Sequence, residues 1–142
     1  WTIASDVDAG KLGITEGAIF SYKDGLKGVV YTNGQGSFIV GYAGTHGGFT
    51  DFLQDFGHNT KQAFGFRSSQ YDTAQSIGQA AAKTGFNVSF TGHSLGGGLA
   101  SASAFAYGCY AFTVNSDGLH RENIKMMKHR QRFARSTAIM MF

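Results

Sequence analysis

The residues best suited to chemistry form a short glycine-rich stretch in the second half of the chain, Gly92-His93-Ser94-Leu95-Gly96. The pattern G-x-S-x-G is typical of a serine nucleophile held in a sharp turn between a strand and a helix. A β-prone run, FNVSF, precedes the turn, and a run of small residues, LGGGLASASAFA, follows it. The sequence therefore predicts that Ser94 is a nucleophile. Glycine is expected at Gly92 and Gly96 because a Cβ at either position would obstruct the close crossing of the strand and the helix.

The helix that follows Ser94 supplies the second part of this chemistry. Its first N–H groups are unpaired and carry partial positive charge, so the N–H of Leu95 is the expected first donor to an oxyanion. His93 is expected to point away from the serine in a structural role. The other interpretation of the turn is the glycine-rich crossover of a nucleotide-binding domain. The chain has neither G-x-G-x-x-G nor a phosphate-loop lysine, which disfavours that interpretation.

A serine nucleophile also needs a histidine base and an acid that fixes the histidine tautomer. In α/β hydrolases these residues follow the serine in the order acid, then histidine. Behind Ser94, Asp117 is a candidate acid and His120 a candidate base. Asp117 also fits a plain turn before Gly118, and His120 fits the start of a basic helix, so the acid and the base stay open.

Several β-prone runs must position this turn. Runs at 18–22 and 28–32 precede Asn33-Gly34, a strong signal for a hairpin in which both central residues have positive φ. The next run, 37–45, is apolar on both faces, which is typical of a central strand covered by helices on both sides. Residues 86–91 alternate as a strand that leads into the Ser94 turn.

Helices are predicted between these strands. One is expected over about 50–64, and a second over 69–84, where Ser69 and Asp72 form a capping box and Gly85 ends the helix. Strands that alternate with helices predict an α/β fold, a three-layer sandwich with a mostly parallel sheet. The length of 142 residues fits a single domain over 1–142.

Composition excludes some classes of protein. The single cysteine, Cys109, rules out an internal disulfide framework and gives no metal-ligand spacing. No apolar run reaches the length needed to cross a membrane, and no basic-then-apolar leader is present. Residues 120–142 form a basic segment with six Lys/Arg and one Asp/Glu. Within it, 120–135 suits either a solvated helix face or an anionic membrane surface, and nucleic acid is not the expected partner.

The stretch GHSLGGGLAS after a strand resembles the class 3 (fungal-type) lipases and the related bacterial phospholipase A1-like proteins of the α/β-hydrolase superfamily. Two further stretches agree with this. IVGYAGTHGGFTDFLQDF is similar to the family strand that ends in F-R-G-[ST], and AFTVNSDGLH is similar to the strand and Asn-x-x-Gly turn after the nucleophile helix. The resemblance covers roughly residues 17–120.

This resemblance implies hydrolysis of carboxylic esters in lipids or phospholipids, with no metal or organic cofactor. It aligns Thr45 with the residue whose N–H completes the oxyanion hole, although Ala43 replaces the usual arginine of the family. The plainer interpretation of Thr45 is a strand-end residue that bonds its own turn. The resemblance further implies a chain truncated at its C-terminus, since the family acid lies one strand beyond Asp117. The alternative function is a degenerate hydrolase domain without activity that serves as a binding or interaction module.

Overall fold

The computed structural model describes residues 1–44, 60–116 and 140–141, with backbone alone for 60–67 and 140–141. These residues form an α/β structure around one sheet. In chain order the elements are β1 (Thr2–Ile3), α1 (Asp6–Lys11), β2 (Ile19–Ser21), β3 (Lys27–Thr32), β4 (Ser37–Tyr42), α2 (Thr60–Ala82), β5 (Asn87–His93), α3 (Leu95–Tyr107), β6 (Ala111–Val114) and β7 (Met140–Met141).

The sheet is open and mixed, with strand order β1-β3-β4-β5-β6-β7 and β2 paired to β3. The pairs that involve β3 are antiparallel, whereas β4–β5, β5–β6 and β6–β7 are parallel. The prediction of a mostly parallel sheet is therefore correct only from β4 onward. For the β2–β3 and β3–β4 pairs the reason is connection length, because short turns can join only antiparallel neighbours, while a parallel pair needs a crossover such as a helix.

The hairpin signal at Asn33-Gly34 correctly predicted the pairing of β3 with β4, in which Thr32 faces Phe38. The turn itself differs from the expected two-residue turn. Positive φ occurs at Gly34 (74°) and Gly36 (85°), and Asn33 is not among the described non-glycine residues with positive φ. Instead the Asn33 side chain accepts hydrogen bonds from backbone N–H groups within the turn, so this asparagine organises a longer loop.

One face of the sheet carries the core. In register across four strands, Val30, Val40, Phe90 and Ala111 form a row of neighbours, and each is fully buried. Complete burial of a Val or Phe side chain contributes about 1.5–3 kcal/mol. This row therefore joins the antiparallel half of the sheet to the parallel half.

Strand β4 has alternating burial, unlike the two covered faces that its composition predicted. Its buried residues are Phe38, Val40 and Tyr42, and its half-buried residues are Ser37, Ile39 and Gly41. Helix α3 packs on the buried face, and α2 packs against α3. The described residues thus supply two of the three predicted layers. Residues 50–59 and 120–139, where further helix was expected, lie outside them.

Helix α2 is continuous through Ser69, so the predicted helix start and capping box of Ser69 with Asp72 are wrong. The polar residues of this region bond the β2–β3 turn instead. The Thr73 hydroxyl donates to Asp24 Oδ2 at 2.7 Å, and Gln70 Nε2 donates to the Asp24 carbonyl at 2.7 Å. Polar residues that make a tertiary contact from the side of a helix can therefore give the same sequence pattern as a helix start.

Small residues bring α2 and α3 into backbone contact. A Cβ placed on Gly78 of α2 would collide with the backbone carbonyl of Ser103 in α3. The contacted atom belongs to a helical backbone and cannot rotate away. The small residues of α3 are buried along its length, namely Gly97, Gly98, Ala100, Ala102 and Ala104.

We predict that Gly78→Ala destabilises the fold by about 1–3 kcal/mol, because the added methyl overpacks a backbone-to-backbone contact. The free energy of unfolding in urea measures this change. Gly10→Ala in α1 is the matched control, since nothing lies within 4 Å of a Cβ at that position. It is expected to leave stability unchanged or raise it by up to about 1 kcal/mol. Equal effects of the two variants would contradict the close packing of α2 on α3.

Candidate active site

Ser94 lies between the last residue of β5 and the first residue of α3, in the strand–turn–helix context that the sequence predicted. Its backbone has φ 55° and ψ −124°, a conformation that residues with a Cβ rarely adopt. Three hydrogen bonds hold it there. The Ser94 N–H donates to the Val114 carbonyl at 3.1 Å, and the Ser94 carbonyl accepts from Gly97 N–H (2.9 Å) and Gly98 N–H (3.2 Å).

The two flanking glycines are required by close backbone contacts. A Cβ on Gly92 would collide with the Gly96 carbonyl, and a Cβ on Gly96 would collide with the carbonyl of Tyr42 at the end of β4. Strand β5, helix α3 and the end of β4 therefore meet at van der Waals distance around Ser94. This observation gives a physical reason for both glycines of the G-x-S-x-G pattern.

The backbone after β4 passes directly beside the serine. A Cβ on Gly44 would lie 2.7 Å from the His93 carbonyl oxygen and 3.7 Å from Ser94 Cβ. Ser94 itself is half-buried, while the His93 side chain is exposed. The chain segment that leads into Thr45 thus borders Ser94, although Thr45 lies outside the described residues.

Leu95 begins α3, and its N–H has no acceptor within the helix because the first four N–H groups of a helix have no intrahelical partner. Its side chain is buried in the core, with 5% exposure, which fixes the orientation of its backbone. Partial positive charge at the helix start adds to the field of this N–H. The Leu95 N–H and the start of α3 can therefore stabilise negative charge that develops next to Ser94.

The turn after β6 borders the same helix start. A Cβ on Gly97 would lie 2.7 Å from Ser116 Cβ, and Asn115 has a positive φ of 45°. Asp117, the candidate acid, follows Ser116 directly in the chain. Asp117 and His120 themselves lie outside the described residues, so the structure neither brings them together nor separates them.

Sequence reasoning missed two residues at this site, Tyr42 and Gly44. Tyr42 is buried, and its hydroxyl lies 2.7 Å from Ser103 Oγ in α3. Gly44 borders the serine. The available signals were a tyrosine at the end of a largely aliphatic strand and a glycine just before the aligned Thr45. Neither pattern alone indicates that the residue lies near the turn that holds Ser94.

Two further features, metal-binding clusters and membrane-spanning helices, concern the described part of the chain. Within it, no group of three His, Cys, Asp or Glu residues could hold a metal ion. Among the described helices, none combines the length and the apolar character needed to cross a membrane.

We predict that Ser94→Gly is more stable than Ser94→Ala by about 1 kcal/mol. Both changes remove the hydroxyl, but only glycine adopts this φ and ψ without strain. In the alanine variant the strain costs about 1–3 kcal/mol. This exceeds the conformational entropy that glycine loses on folding, about 0.5–1 kcal/mol. Urea unfolding of the two variants gives the difference. A more stable alanine variant would show that the turn is relaxed and not strained.

We predict that Cys109 is a slow nucleophile in the folded protein. It is half-buried after the end of α3, and burial raises the pKa of its thiol to about 12, so at pH 8 the thiolate is scarce. Alkylation by iodoacetamide at pH 8 is expected to be at least about tenfold slower in buffer than in urea. Equal rates in the two solvents would contradict this prediction. The measurement also separates Cys109 from Ser94 as a source of covalent labelling.

The known proteins to which this chain is similar are phospholipases or phospholipase-like. Residues 1–140 match a phospholipase-like family, described as the Tle-like phospholipase domain. An extracellular phospholipase A1 of Serratia liquefaciens is 33% identical over 108 residues, which is 75% of this chain and 32% of that protein. The matched region therefore spans about a third of the relative's length. Because the family match extends over nearly the entire chain, this protein belongs to the Tle-like phospholipase domain family.

Proposed function

We propose that this chain is a serine-dependent carboxylic ester hydrolase that acts on phospholipid esters, with Ser94 as the nucleophile. The observation that carries the proposal is the strained backbone of Ser94 at the junction of β5 and α3, bordered by Gly44. Strain of this kind persists only where the surrounding contacts enforce it, and it concentrates at functional sites. Membership of a phospholipase family and the Serratia relative favour a phospholipid substrate.

In the proposed reaction, Ser94 Oγ attacks the ester carbonyl and loses its proton to a base. The carbonyl oxygen becomes an oxyanion, which accepts hydrogen bonds from the N–H groups of Leu95 and Thr45. Loss of one such donor typically costs about 3–4 kcal/mol of transition-state stabilisation. The C–O bond to the leaving alcohol then breaks as the base returns its proton to that alcohol, and water releases the acyl group from the serine.

His120 is the proposed base and Asp117 the proposed acid. Support for Asp117 comes from its neighbour Ser116, which lies against Gly97 in the first turn of α3. The chain order Ser94, Asp117, His120 is that of α/β hydrolases. This mechanism uses side chains and backbone N–H groups alone and needs no metal or organic cofactor.

The basic segment is proposed as the contact with an anionic lipid surface. The support is its charge, since residues 120–135 include six Lys/Arg and a single Glu. Each Lys or Arg near an anionic surface contributes about 1 kcal/mol of attraction. Such a contact would hold the site near its substrate.

We predict that a fluorophosphonate probe modifies Ser94 in the folded protein and that Ser94→Ala abolishes this modification. Ester hydrolysis in vesicles of phosphatidylcholine with phosphatidylglycerol should fall by at least about 10³-fold, because the nucleophile is lost. Mass-spectrometric mapping and release of fatty acid measure the two effects.

Ser101→Ala is the matched control for this prediction. Ser101 is a buried serine of the same helix, whose hydroxyl donates to the Gly97 carbonyl at 2.9 Å. This variant should keep both labelling and hydrolysis. Absence of labelling in the folded unaltered chain would favour the alternative function, a hydrolase-like domain that binds without catalysis.

A further inference from the structure

Tyr42 is the last residue of β4, and its hydroxyl joins a buried chain of hydrogen bonds. Ser103 Oγ lies 2.7 Å from the Tyr42 hydroxyl and donates its own proton to the Ala74 carbonyl at 2.6 Å. Since Ser103 has one proton and uses it on Ala74, Tyr42 must be the donor in the first bond. The chain of bonds therefore links β4 to α3 and α3 to α2.

This polar link lies deep in the core. Tyr42 is 4% exposed and Ser103 is fully buried. Burial raises the pKa of the Tyr42 hydroxyl, so the group remains a protonated donor. An unpaired hydroxyl at such a position would be costly, and the pairing of both groups makes the link a rigid one.

The same tyrosine also contacts the start of α3 through its backbone. Its carbonyl oxygen is the atom that a Cβ on Gly96 would strike, and Gly44, two residues further along, borders Ser94. Tyr42 thus meets α3 at two points: its carbonyl lies in close contact with the first turn, and its hydroxyl is hydrogen-bonded to Ser103. Together the close contact and the bond restrict both the distance and the angle between the end of β4 and the helix.

We propose that Tyr42 is a positioning residue that holds the end of β4, including Gly44, in place against Ser94 and the Leu95 N–H at the start of α3. This inference rests on the proposed function of Ser94. Oxyanion stabilisation requires donors preorganised at about 2.7–3.1 Å from the developing charge. A shift of the β4 end relative to α3 therefore weakens the transition state more than it weakens the binding of substrate.

Tyr42→Phe isolates the contribution of the hydroxyl. The ring of Tyr42 stacks on Phe90, with centroids 6.5 Å apart, and meets Phe20 edge-on at 6.0 Å. Phenylalanine keeps both ring contacts. Ser103 keeps its bond to the Ala74 carbonyl, so the variant leaves no buried donor unpaired.

Tyr107→Phe is the matched control. Tyr107 also contacts the Phe90 ring, with centroids 6.0 Å apart, and its hydroxyl donates to the Phe86 carbonyl. It therefore also loses a tyrosine hydroxyl bond, here between α3 and the residue just before β5, at the end of α3 remote from Ser94. A purely structural effect of losing such a bond would be similar in the two variants.

The first test measures kcat and KM for phospholipid hydrolysis in phosphatidylcholine and phosphatidylglycerol vesicles, well below the unfolding temperature. Tyr42→Phe should lower kcat about tenfold with KM within about twofold, since small misplacements of catalytic groups cost up to about 100-fold. Tyr107→Phe should retain the unaltered kcat. Equal kcat values in the two variants would overturn the inference.

Ser94→Ala in the same assay separates the two proposals, because full activity of that variant would overturn the proposed function instead.

The second test does not depend on activity. Amide hydrogen exchange, followed by NMR, reports the Ala43 N–H, which donates to the Lys27 carbonyl, and the Ser94 N–H, which donates to the Val114 carbonyl. Tyr42→Phe should speed the exchange of both amides at least about fivefold, while Tyr107→Phe leaves them unchanged. Unchanged exchange in Tyr42→Phe would show that the hydroxyl does not hold the end of β4 against the helix.

Discussion

The structure around Ser94 depends on one constraint, the approach of three backbone segments to within contact distance. The end of β4 touches the start of α3 at Gly96, and the end of β5 touches the same turn at Gly92. No side chain fits between these segments. A chain that makes this crossing must use glycine on both sides of the turn, and the residue between them must accept a positive φ. Ser94 accepts it because its backbone N–H and carbonyl are both paired.

The same need for close approach extends along α3 and has an energetic consequence. Helix α3 is built largely from glycine, alanine and serine, and these residues bury little apolar surface. Its attachment must therefore draw on other interactions. The bonds of Ser103 and Tyr107 to neighbouring elements supply directional contacts, and Phe90 supplies ring contacts to Tyr42 and Tyr107. A helix of small residues is thus held by specific hydrogen bonds as well as by packing.

This construction suits the role proposed for Ser94. A strained turn costs stability, and the dense contacts around Ser94 offset that cost. The rigid core row that includes Val40 and Phe90 lies directly beneath the turn, on the two strands that border it. Rigid elements of this kind position reactive groups more accurately than loops do.

The sequence by itself determined the local features. The motif around Ser94 specified the strand, turn and helix, and Asn33-Gly34 specified the β3–β4 pairing, because both depend on backbone conformations that few residues adopt. Tertiary structure decided what local patterns cannot encode. Ser69 looked like a helix start, yet it lies inside α2, where its hydroxyl donates to Asp24, a residue distant in sequence. The contact of Tyr42 with Ser103 likewise joins residues far apart in the chain, whose proximity is set by the packing of the sheet against α3.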